Sequence, residues 1–335
     1  MRMEAQNKVP VIDEAFVSFI SDDAYGSGAI TLGTSLKNSR TTRKTVLLVT
    51  DGVSNDVRDR LSRIWDELVD IEPLFTTSEE NLALTRRPEL GVTITKLKIW
   101  TLTQFKKCVF MDADTLVLQN IDDLFEREEL SAAPDIGWPD CFNSGVFVFV
   151  PSLETYAALI TFADEHGSFD GGDQGLLNMY FKDWATKDIS HRLPFLYNMV
   201  SNVCYSYAPA YKQFGKDAKV VHFLGAIKPW HHFYDSETSQ VQIQQHGVSD
   251  LGVQSFIQLW WDVYNNSVAL QDAEASISQD SSAQAIVNMP IVSNAMSEIE
   301  RKASWERGLI DFTGEDKFEN IKDRLDDVIN GSGTH

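Results

Sequence analysis

The length and charge of the chain limit what it can be. It has 335 residues, 43% of them hydrophobic, which is enough for one large or two small domains with a sizeable core. Its 49 acidic residues against 29 basic residues give a formal net charge of −20, which argues against nucleic acid as a partner. A phosphorylated substrate would therefore need local neutralisation by a metal ion or by lysine and arginine.

The first part of the chain alternates apolar runs with helical periodicity. Buried strands are predicted over residues 14–20 and 44–50, with a helix between them, further helices over 56–68 and 93–105, and a strand over 107–111 that ends at acidic residues. Strands separated by helices predict an α/β fold with a mostly parallel central sheet, and its ligands should lie beyond the carboxyl ends of the strands.

Later segments predict a different organisation. Residues 266–300 are rich in Ser, Ala, Gln and Asp, which is typical of a flexible linker. Phe318, Ile321, Leu325 and Val328 are spaced three or four apart, so one face of a C-terminal helix would be apolar. No stretch is long and apolar enough to cross a bilayer, and no secretory signal is visible, so we expect a cytoplasmic protein without a membrane partner.

Asp112, Asp114 and His222 are candidate metal ligands. The two aspartates follow a strand at a spacing of two, which points both carboxylates to one side of the sheet. His222 ends a second apolar run, and two carboxylates with one imidazole suit Mn²⁺ or Mg²⁺ better than zinc. The alternatives are a solvated strand end or helix cap for the aspartates and a hydrogen-bonded core residue for the histidine.

Two Gly-containing segments and three basic residues could complete a site. Asn143-Ser144-Gly145 opens an apolar run, and in Asp170-Gly171-Gly172-Asp173-Gln174 the glycines allow close approach while the aspartates could hold sugar hydroxyls. The alternative for the second segment is a turn in which Asp173 is a helix N-cap. The basic candidates for phosphate or sugar contacts, each of which alone is typical of an ordinary surface charge, are Arg87, Lys96 and Lys228.

Five stretches in order carry a family resemblance: residues 87–93, 108–130, 138–147, 167–175 and 221–230. Together they resemble the glycogenin family of self-glucosylating proteins, within glycosyltransferase family 8. The resemblance implies an A-type glycosyltransferase fold and a retaining enzyme that uses UDP-glucose and Mn²⁺, with Mg²⁺ as the alternative ion.

The resemblance also implies roles for individual residues. Asp112, Asp114 and His222 match the metal ligands, while Asp173, Lys96 and Asp170 match residues near the reacting sugar. The residues that match the UDP-glucose site are Phe19, Ser21, Asp22, Tyr25, Arg87, Lys96, Ala113, Asn143, Ser144, Asp170, Asp173, Gln174, Gly225 and Lys228. Two positions depart from the family pattern, because Asp22 replaces the usual Asn and Phe19 the usual Leu.

Tyr205 matches the tyrosine that family members glucosylate, which implies an α-linked glucose followed by α-1,4 extension into a glucan chain. A phenol is neutral near pH 7 and must lose its proton during attack, to Asp173 or to a leaving-group phosphate oxygen. Tyr207 is the second candidate, and an ordinary core tyrosine is the alternative for both. Whether retention uses a covalent adduct on Asp173 or front-face attack is left open.

The tail from Trp305 to Asp326 resembles the family's docking motif for glycogen synthase, and the resemblance also implies a homodimer. The alternatives are a tail folded on its own domain, a transferase for an external acceptor such as a polyol, and an inactive scaffold. The predicted division is an N-terminal extension, a catalytic domain, a linker and a synthase-binding tail, over residues 1–13, 14–265, 266–300 and 301–335.

Overall fold

The structure is a computed structural model that describes residues 11–75, 88–200, 208–242 and 253–280. The chain divides into two units after Asp280, and every described residue belongs to the first unit. Arg87, Tyr205 and Tyr207, the third cysteine Cys204, and the tail from Trp305 to Asp326 lie outside the described residues.

The described secondary structure alternates strands and helices. The strands are β1 (Val11–Ile20), β2 (Arg43–Val49), β3 (Glu67–Asp70), β4 (Lys107–Met111), β5 (Thr115–Val117), β6 (Ser131–Pro134), β7 (Phe142–Phe149), β8 (Met199–Val200), β9 (Val220–His222), β10 (Phe233–Asp235) and β11 (Gln240–Gln242). The α-helices are α1 (Gly26–Asn38), α2 (Asn55–Ser62), α3 (Leu153–His166), α4 (Asp173–Tyr180), α5 (Ala208–Phe214) and α6 (Val253–Asp280). Segments of 3₁₀ helix cover Asp23–Tyr25, Pro88–Thr101, Asp122–Glu126, Trp184–Thr186, Ile189–His191, Phe195–Tyr197, Gly215–Asp217 and Pro229–His231.

The main sheet has the strand order β3-β2-β1-β4-β7-β6. The first four strands are parallel, and β7 and β6 continue the sheet in antiparallel pairing. The predicted α/β class is therefore found with a mixed sheet, in which the parallel part brings the carboxyl ends of β1 and β4 to one edge.

Apolar residues of the central strands are buried on both faces of this sheet. On β1, Phe16 contributes to one core cluster while its neighbours Ala15 and Val17 contribute to the other. The first cluster is covered by α1 and α2, and the second by α3, α4 and the 3₁₀ segment Pro88–Thr101. This two-sided burial explains why the strands are continuous apolar runs in the sequence.

A smaller sheet, β5-β9-β8, places His222 beside the aspartates. Strand β5 follows Asp112 and Asp114 directly, and its first residue, Thr115, pairs with His222 of β9. Val200 of β8 pairs with His222 from the other side. Two strands far apart in the sequence thus bring the histidine to the end of β4.

Two predicted helices differ from the observed elements. The helix expected over 56–68 ends at Ser62, and Glu67–Asp70 instead adds an edge strand to β2. The apolar residues near its end fit either element, and pairing with an exposed strand edge decides between them. The helix expected over 93–105 is the 3₁₀ segment Pro88–Thr101, whose β-branched residues lower α-helix propensity.

Two elements extend across the boundaries predicted at residues 13 and 266. Strand β1 begins at Val11, and α6 continues to Asp280, through the first part of the expected linker. Ser267 accepts a hydrogen bond from Thr34 of α1 at 2.9 Å, and Gln271 lies against α2, with Nε2 donating to the Arg60 carbonyl at 3.4 Å. These polar residues are buried because they find partners, which composition alone does not show. Residues 281–300 lie outside the described residues.

In the described ranges, no helix combines the length and the apolar character needed to span a membrane. Cys108 and Cys141 are free thiols, and burial raises the pKa of Cys108.

Candidate active site

A cavity of about 290 Å³ lies where β1 and β4 end and β7 begins. Sequence-predicted residues that line it are Phe19, Ser21, Asp22, Tyr25, Lys96, Asp112, Ala113, Asp114, Asn143, Ser144, Asp170, Asp173, Gln174, His222 and Lys228. Gly225 does not line it, although the neighbouring Leu224 does. The structure therefore brings most of the predicted site residues to one place, and their individual roles stay predictions.

Asp112, Asp114 and His222 form a group that could hold a metal ion. One ligand atom from each lies within 4.8 Å of the others. His222 Nε2 is 3.2 Å from Asp114 Oδ1 and 3.9 Å from Asp112 Oδ2. Hard carboxylate oxygens with one imidazole are a donor set suited to Mn²⁺ or Mg²⁺.

The backbone of β7 approaches His222 at Gly145. A Cβ atom at this position would lie 2.2 Å from the His222 Cε1 atom, so a larger residue would displace the imidazole. The Gly145 carbonyl also accepts a hydrogen bond from the Asp112 amide at 2.8 Å. One glycine thus lets β7 hold both the histidine and the first aspartate in place.

Lys96 joins the metal-ligand group to Asp173. Its Nζ is 2.9 Å from Asp112 Oδ1 and 2.6 Å from Asp173 Oδ2, and its side chain is 3% exposed. Burial opposes its charge, but the two carboxylates outweigh burial and raise the pKa of Lys96. The ammonium is therefore a fixed positive charge between the two sides of the cavity.

The two aspartates of the metal-ligand group have opposite pKa shifts. Burial, assisted by Asp114 and Asp173, raises the pKa of Asp112 against the opposing effect of Lys96. Burial also disfavours the charge of Asp114, but Lys228 and His222 outweigh it and lower its pKa. Lys228 Nζ donates to Asp114 Oδ2 and, at 3.0 Å, to the Phe223 carbonyl.

Asp170 caps helix α4, and this overturns the alternative in which Asp173 is the N-cap. The N-cap is Gly172, and Asp173 is the first residue of the helix. Asp170 Oδ1 accepts from the Gly172 amide at 2.9 Å and from the Gly175 amide at 3.1 Å. Gly171, with φ of 81°, gives the turn a conformation that favours glycine. The Asp173 side chain is thereby free to contact Lys96.

Asp173 keeps hydrogen-bond acceptor capacity in the cavity. Its Oδ2 atom is buried and pairs with the Lys96 ammonium at 2.6 Å, and no other described donor lies within hydrogen-bond distance of it. A carboxylate oxygen has two lone pairs, so one remains after the contact with the lysine. A ligand hydroxyl would satisfy this oxygen.

Part of the cavity wall is formed by the end of β1 and the turn after it. Asp22 Oδ1 caps the 3₁₀ segment Asp23–Tyr25 through the Ala24 amide at 2.9 Å, and its Oδ2 accepts from Ser21 at 3.0 Å. The carboxylate that replaces the family's usual Asn thus keeps a capping role. Tyr25 packs edge-on against Trp230 at 5.5 Å between ring centroids.

Sequence reasoning missed three polar residues of this site. Asp135 lines the cavity, Asn198 hydrogen-bonds to His222, and Thr93 accepts from the Asp173 amide at 3.1 Å. Thr93 falls at the end of a stretch quoted for the resemblance, and Asp135 lies between two of those stretches, 108–130 and 138–147. Asn198 carries no motif signal, because its role depends on the pairing of β8 with β9.

The residues present fit a divalent cation. Six aspartates and two lysines line the cavity, and both lysines already contact aspartates. A cation at Asp112, Asp114 and His222 would offset this negative charge and admit a phosphate group. The types of ligand atom and the negative charge of the cavity therefore both favour a divalent cation at this group.

Comparisons with known proteins identify the family. The model of the family described as Glycosyl transferase family 8 matches residues 16–129 and 126–233. The chain is 51% identical over 333 residues to Glycogenin-1 of Oryctolagus cuniculus, covering 95% of this chain and 99% of that protein. It is 54% identical over 258 residues to Glycogenin-2 of Homo sapiens, covering 77% of this chain and 52% of that protein.

A solved structure supports the fold. The glycosyltransferase GlyE of Streptococcus pneumoniae TIGR4 matches with a TM-score of 0.50 and 23% identity, over 78% of this chain and 64% of that chain. The A-type glycosyltransferase fold implied by the resemblance is confirmed, with a mixed central sheet. The chain is a glycosyltransferase that belongs to glycosyl transferase family 8, in the glycogenin group of that family.

Proposed function

We propose that this protein transfers glucose from UDP-glucose to its own Tyr205 and extends it into a short α-1,4-glucan that primes glycogen synthesis. The observation that carries the proposal is Lys96, which joins a cation-binding group to Asp173 across one cavity. That arrangement offers a diphosphate site on one side and a hydroxyl acceptor on the other. The self-glucosylating chemistry that the family resemblance implies is the expectation to test, and the similarity to Glycogenin-1 supports it.

Asp112, Asp114 and His222 would hold Mn²⁺, or Mg²⁺ as the alternative. When bound, the ion supplies Lewis acidity to the departing diphosphate. Lys228 lies beside Asp114 and Lys96 beside Asp112, so both ammonium groups are within reach of phosphate oxygens. Phe19, Ser21, Asp22 and Tyr25 line the end of the cavity that we assign to uridine.

Asp173 is the residue that we place at the reacting sugar. The remaining lone pair of its Oδ2 atom can bind a sugar hydroxyl or take the phenolic proton, and Lys96 holds the carboxylate in position. Attack by the Tyr205 oxygen forms the new glycosidic bond as the bond to the diphosphate breaks, and the proton goes to Asp173 or to a phosphate oxygen. Asn143, Ser144, Asp170 and Gln174 line the same side of the cavity, where we place the sugar.

We further propose that the protein is a cytoplasmic homodimer that binds glycogen synthase through Trp305 to Asp326. The apolar spacing in that tail favours a docking helix. A second subunit would let a growing acceptor reach a donor site whose position in the fold is fixed.

The decisive experiment is intact-mass analysis after incubation with UDP-glucose and Mn²⁺. We expect mass increments of whole hexoses on the wild type, none with a chelator, and none on Tyr205→Phe, with Tyr207→Phe as the matched control. Peptide mapping should place the first hexose on Tyr205. Absence of hexose on the wild type, with UDP-glucose still consumed, would refute self-glucosylation and favour an external acceptor. Absence of any UDP-glucose turnover would favour the inactive scaffold.

A further inference from the structure

A chain of hydrogen bonds runs from the cavity wall to the back of His222. We call Asp135, Asn143, Asn198 and His222 the amide relay. Asn143 Nδ2 donates to Asp135 Oδ2 at 2.9 Å, Asn198 Nδ2 donates to Asn143 Oδ1 at 2.8 Å, and His222 Nδ1 is 2.9 Å from Asn198 Oδ1. The last three residues are at most 4% exposed, so water does not compete for these bonds.

The first amide of the relay is oriented by two groups whose roles are fixed. The Gly145 backbone N–H can only donate, and it lies 2.9 Å from the Asn143 side-chain oxygen. The ionised carboxylate of Asp135 can only accept, and it faces the Asn143 side-chain nitrogen. Rotating the amide by 180° would set donor against donor and acceptor against acceptor. Asn143 therefore presents its oxygen to Asn198.

The orientation of Asn143 determines that of Asn198 and then that of the imidazole. An oxygen on Asn143 requires the Asn198 nitrogen opposite it, which leaves the Asn198 oxygen for His222. That oxygen is an acceptor only, so His222 Nδ1 must carry the hydrogen. The other ring nitrogen, Nε2, is the atom that faces Asp112 and Asp114.

We propose that Asn198 is a positioning residue that keeps the hydrogen of the His222 ring on Nδ1, so that the Nε2 lone pair points to the cation. Partners behind a metal-binding histidine commonly fix its tautomer and ring orientation in this way. In this protein the partner is itself fixed, through Asn143, by a backbone amide and a carboxylate. The inference rests on the proposed metal site but not on self-glucosylation.

The tautomer can be measured on the full chain with saturating Mg²⁺, which is diamagnetic, and without nucleotide sugar. The ion is needed because without it both ring nitrogens face acceptors, Nε2 lying 3.2 Å from Asp114 Oδ1. In ¹⁵N-labelled protein, long-range ¹H–¹⁵N correlation separates Nδ1–H from Nε2–H, and His222→Gln identifies the signal. We expect the Nδ1–H form for His222. An Nε2–H form in the wild type would overturn the proposal, whatever the variants do.

Two substitutions of similar volume separate the acceptor role of Asn198 from its packing role. Asn198→Leu removes the acceptor, and we expect the Nδ1–H preference to disappear and the Mn²⁺ dissociation constant to rise about 10- to 100-fold. Asn198→Asp keeps an oxygen for Nδ1–H, and we expect the wild-type tautomer to persist. Mn²⁺ binding is read by electron paramagnetic resonance of the free ion. An unchanged dissociation constant in Asn198→Leu, or the same loss of tautomer in both variants, contradicts the proposal.

Asn178→Leu is the matched control. Asn178 also bonds to β7, accepting from the Phe142 amide and donating to the Phe142 carbonyl, both at 2.9 Å, but it does not touch the relay. We expect this variant to lose stability while keeping the tautomer and the Mn²⁺ affinity. The wild type could show the expected tautomer and Mn²⁺ binding but add no hexose to itself. That result would refute the proposed function and leave this inference standing.

Discussion

Replacing Lys96 by Met should destabilise the protein in a way that depends on pH. Lys96 is buried between Asp112 and Asp173, at 2.9 and 2.6 Å. Each contact has a gross Coulomb energy of about 6 kcal/mol at an effective dielectric constant of about 20. Desolvation offsets most of this, and breaking such a buried pair from one side costs about 3–5 kcal/mol. In a unit of this size, that lowers the melting temperature by about 10 °C.

The sign of the pH dependence follows from the carboxylates left behind. Lys96 opposes the upward pKa shift of Asp112, so its loss raises the pKa of Asp112 further above that of the unfolded chain. A group whose pKa is raised on folding loses stability as pH rises from its unfolded pKa through its folded pKa. The stability gap between wild type and Lys96→Met should therefore be smaller at pH 5 than at pH 8.

The assay is denaturant unfolding with a chelator present, at pH 5, 6, 7 and 8. Lys98→Met is the matched control, because Lys98 lies on the same 3₁₀ segment but does not line the cavity. Its Nζ atom lies over the Tyr156 ring, 5.9 Å from the ring centroid. We expect the control to change stability little at any pH. A gap between wild type and Lys96→Met that stays constant across this range, or is largest at pH 5, would refute the electrostatic reasoning.

Three further outcomes are expected. Asp173→Asn should lower kcat by about 10²–10⁴ with little change in KM for UDP-glucose, as steady-state kinetics would show, and an unchanged kcat would remove Asp173 from the reaction. Lys228→Met should lower the Mn²⁺ dissociation constant by roughly tenfold in the absence of nucleotide, because it frees Asp114 from a charged hydrogen bond. A higher dissociation constant measured by calorimetry would contradict this. Truncation after residue 265 should lower the melting temperature by several degrees, because it removes the contacts of Ser267 and Gln271. Truncation after Asp280 should leave the melting temperature and hexose addition unchanged but abolish glycogen synthase binding. Co-purification of the chain ending at Asp280 with the synthase would exclude the tail as its docking site.

The sequence predicts the site best where local geometry decides. Asp112 and Asp114 follow β4 directly and reach one metal-ligand group, as their spacing predicts, although they lie in the turn between β4 and β5 and not within a strand. The parallel part of the sheet brings β1 and β4 to one edge. His222 belongs to the site because β9 pairs with β5, which a single sequence does not show. His222 is a candidate in the sequence because it ends a second apolar run, the family resemblance matches it to a metal ligand, and the strand pairing explains its position.

What the sequence could not predict are partners that meet only in the folded chain. Lys96 on its own is typical of a surface charge, yet it is 3% exposed between two carboxylates. Asp170 and Asp173 look equivalent in the sequence, but one caps α4 and the other contacts Lys96. Gln271 has the composition of a linker and lies buried against α2. For Lys96, Asp173 and Gln271, the deciding contact is a hydrogen bond or ion pair between segments distant along the chain, whereas the Asp170 cap is local.

The same contacts indicate why the proposed phosphate site would need a cation. Lys96 and Lys228 are the lysines that line the cavity, and each already neutralises aspartates. A diphosphate that entered alone would compete with those aspartates for both ammonium groups and leave buried carboxylates uncompensated. Asp112, Asp114 and His222 would hold a divalent ion, whose charge would compensate the carboxylates and leave Lys96 and Lys228 available to phosphate oxygens. The ion and the nucleotide should therefore bind with positive coupling, each raising the affinity for the other.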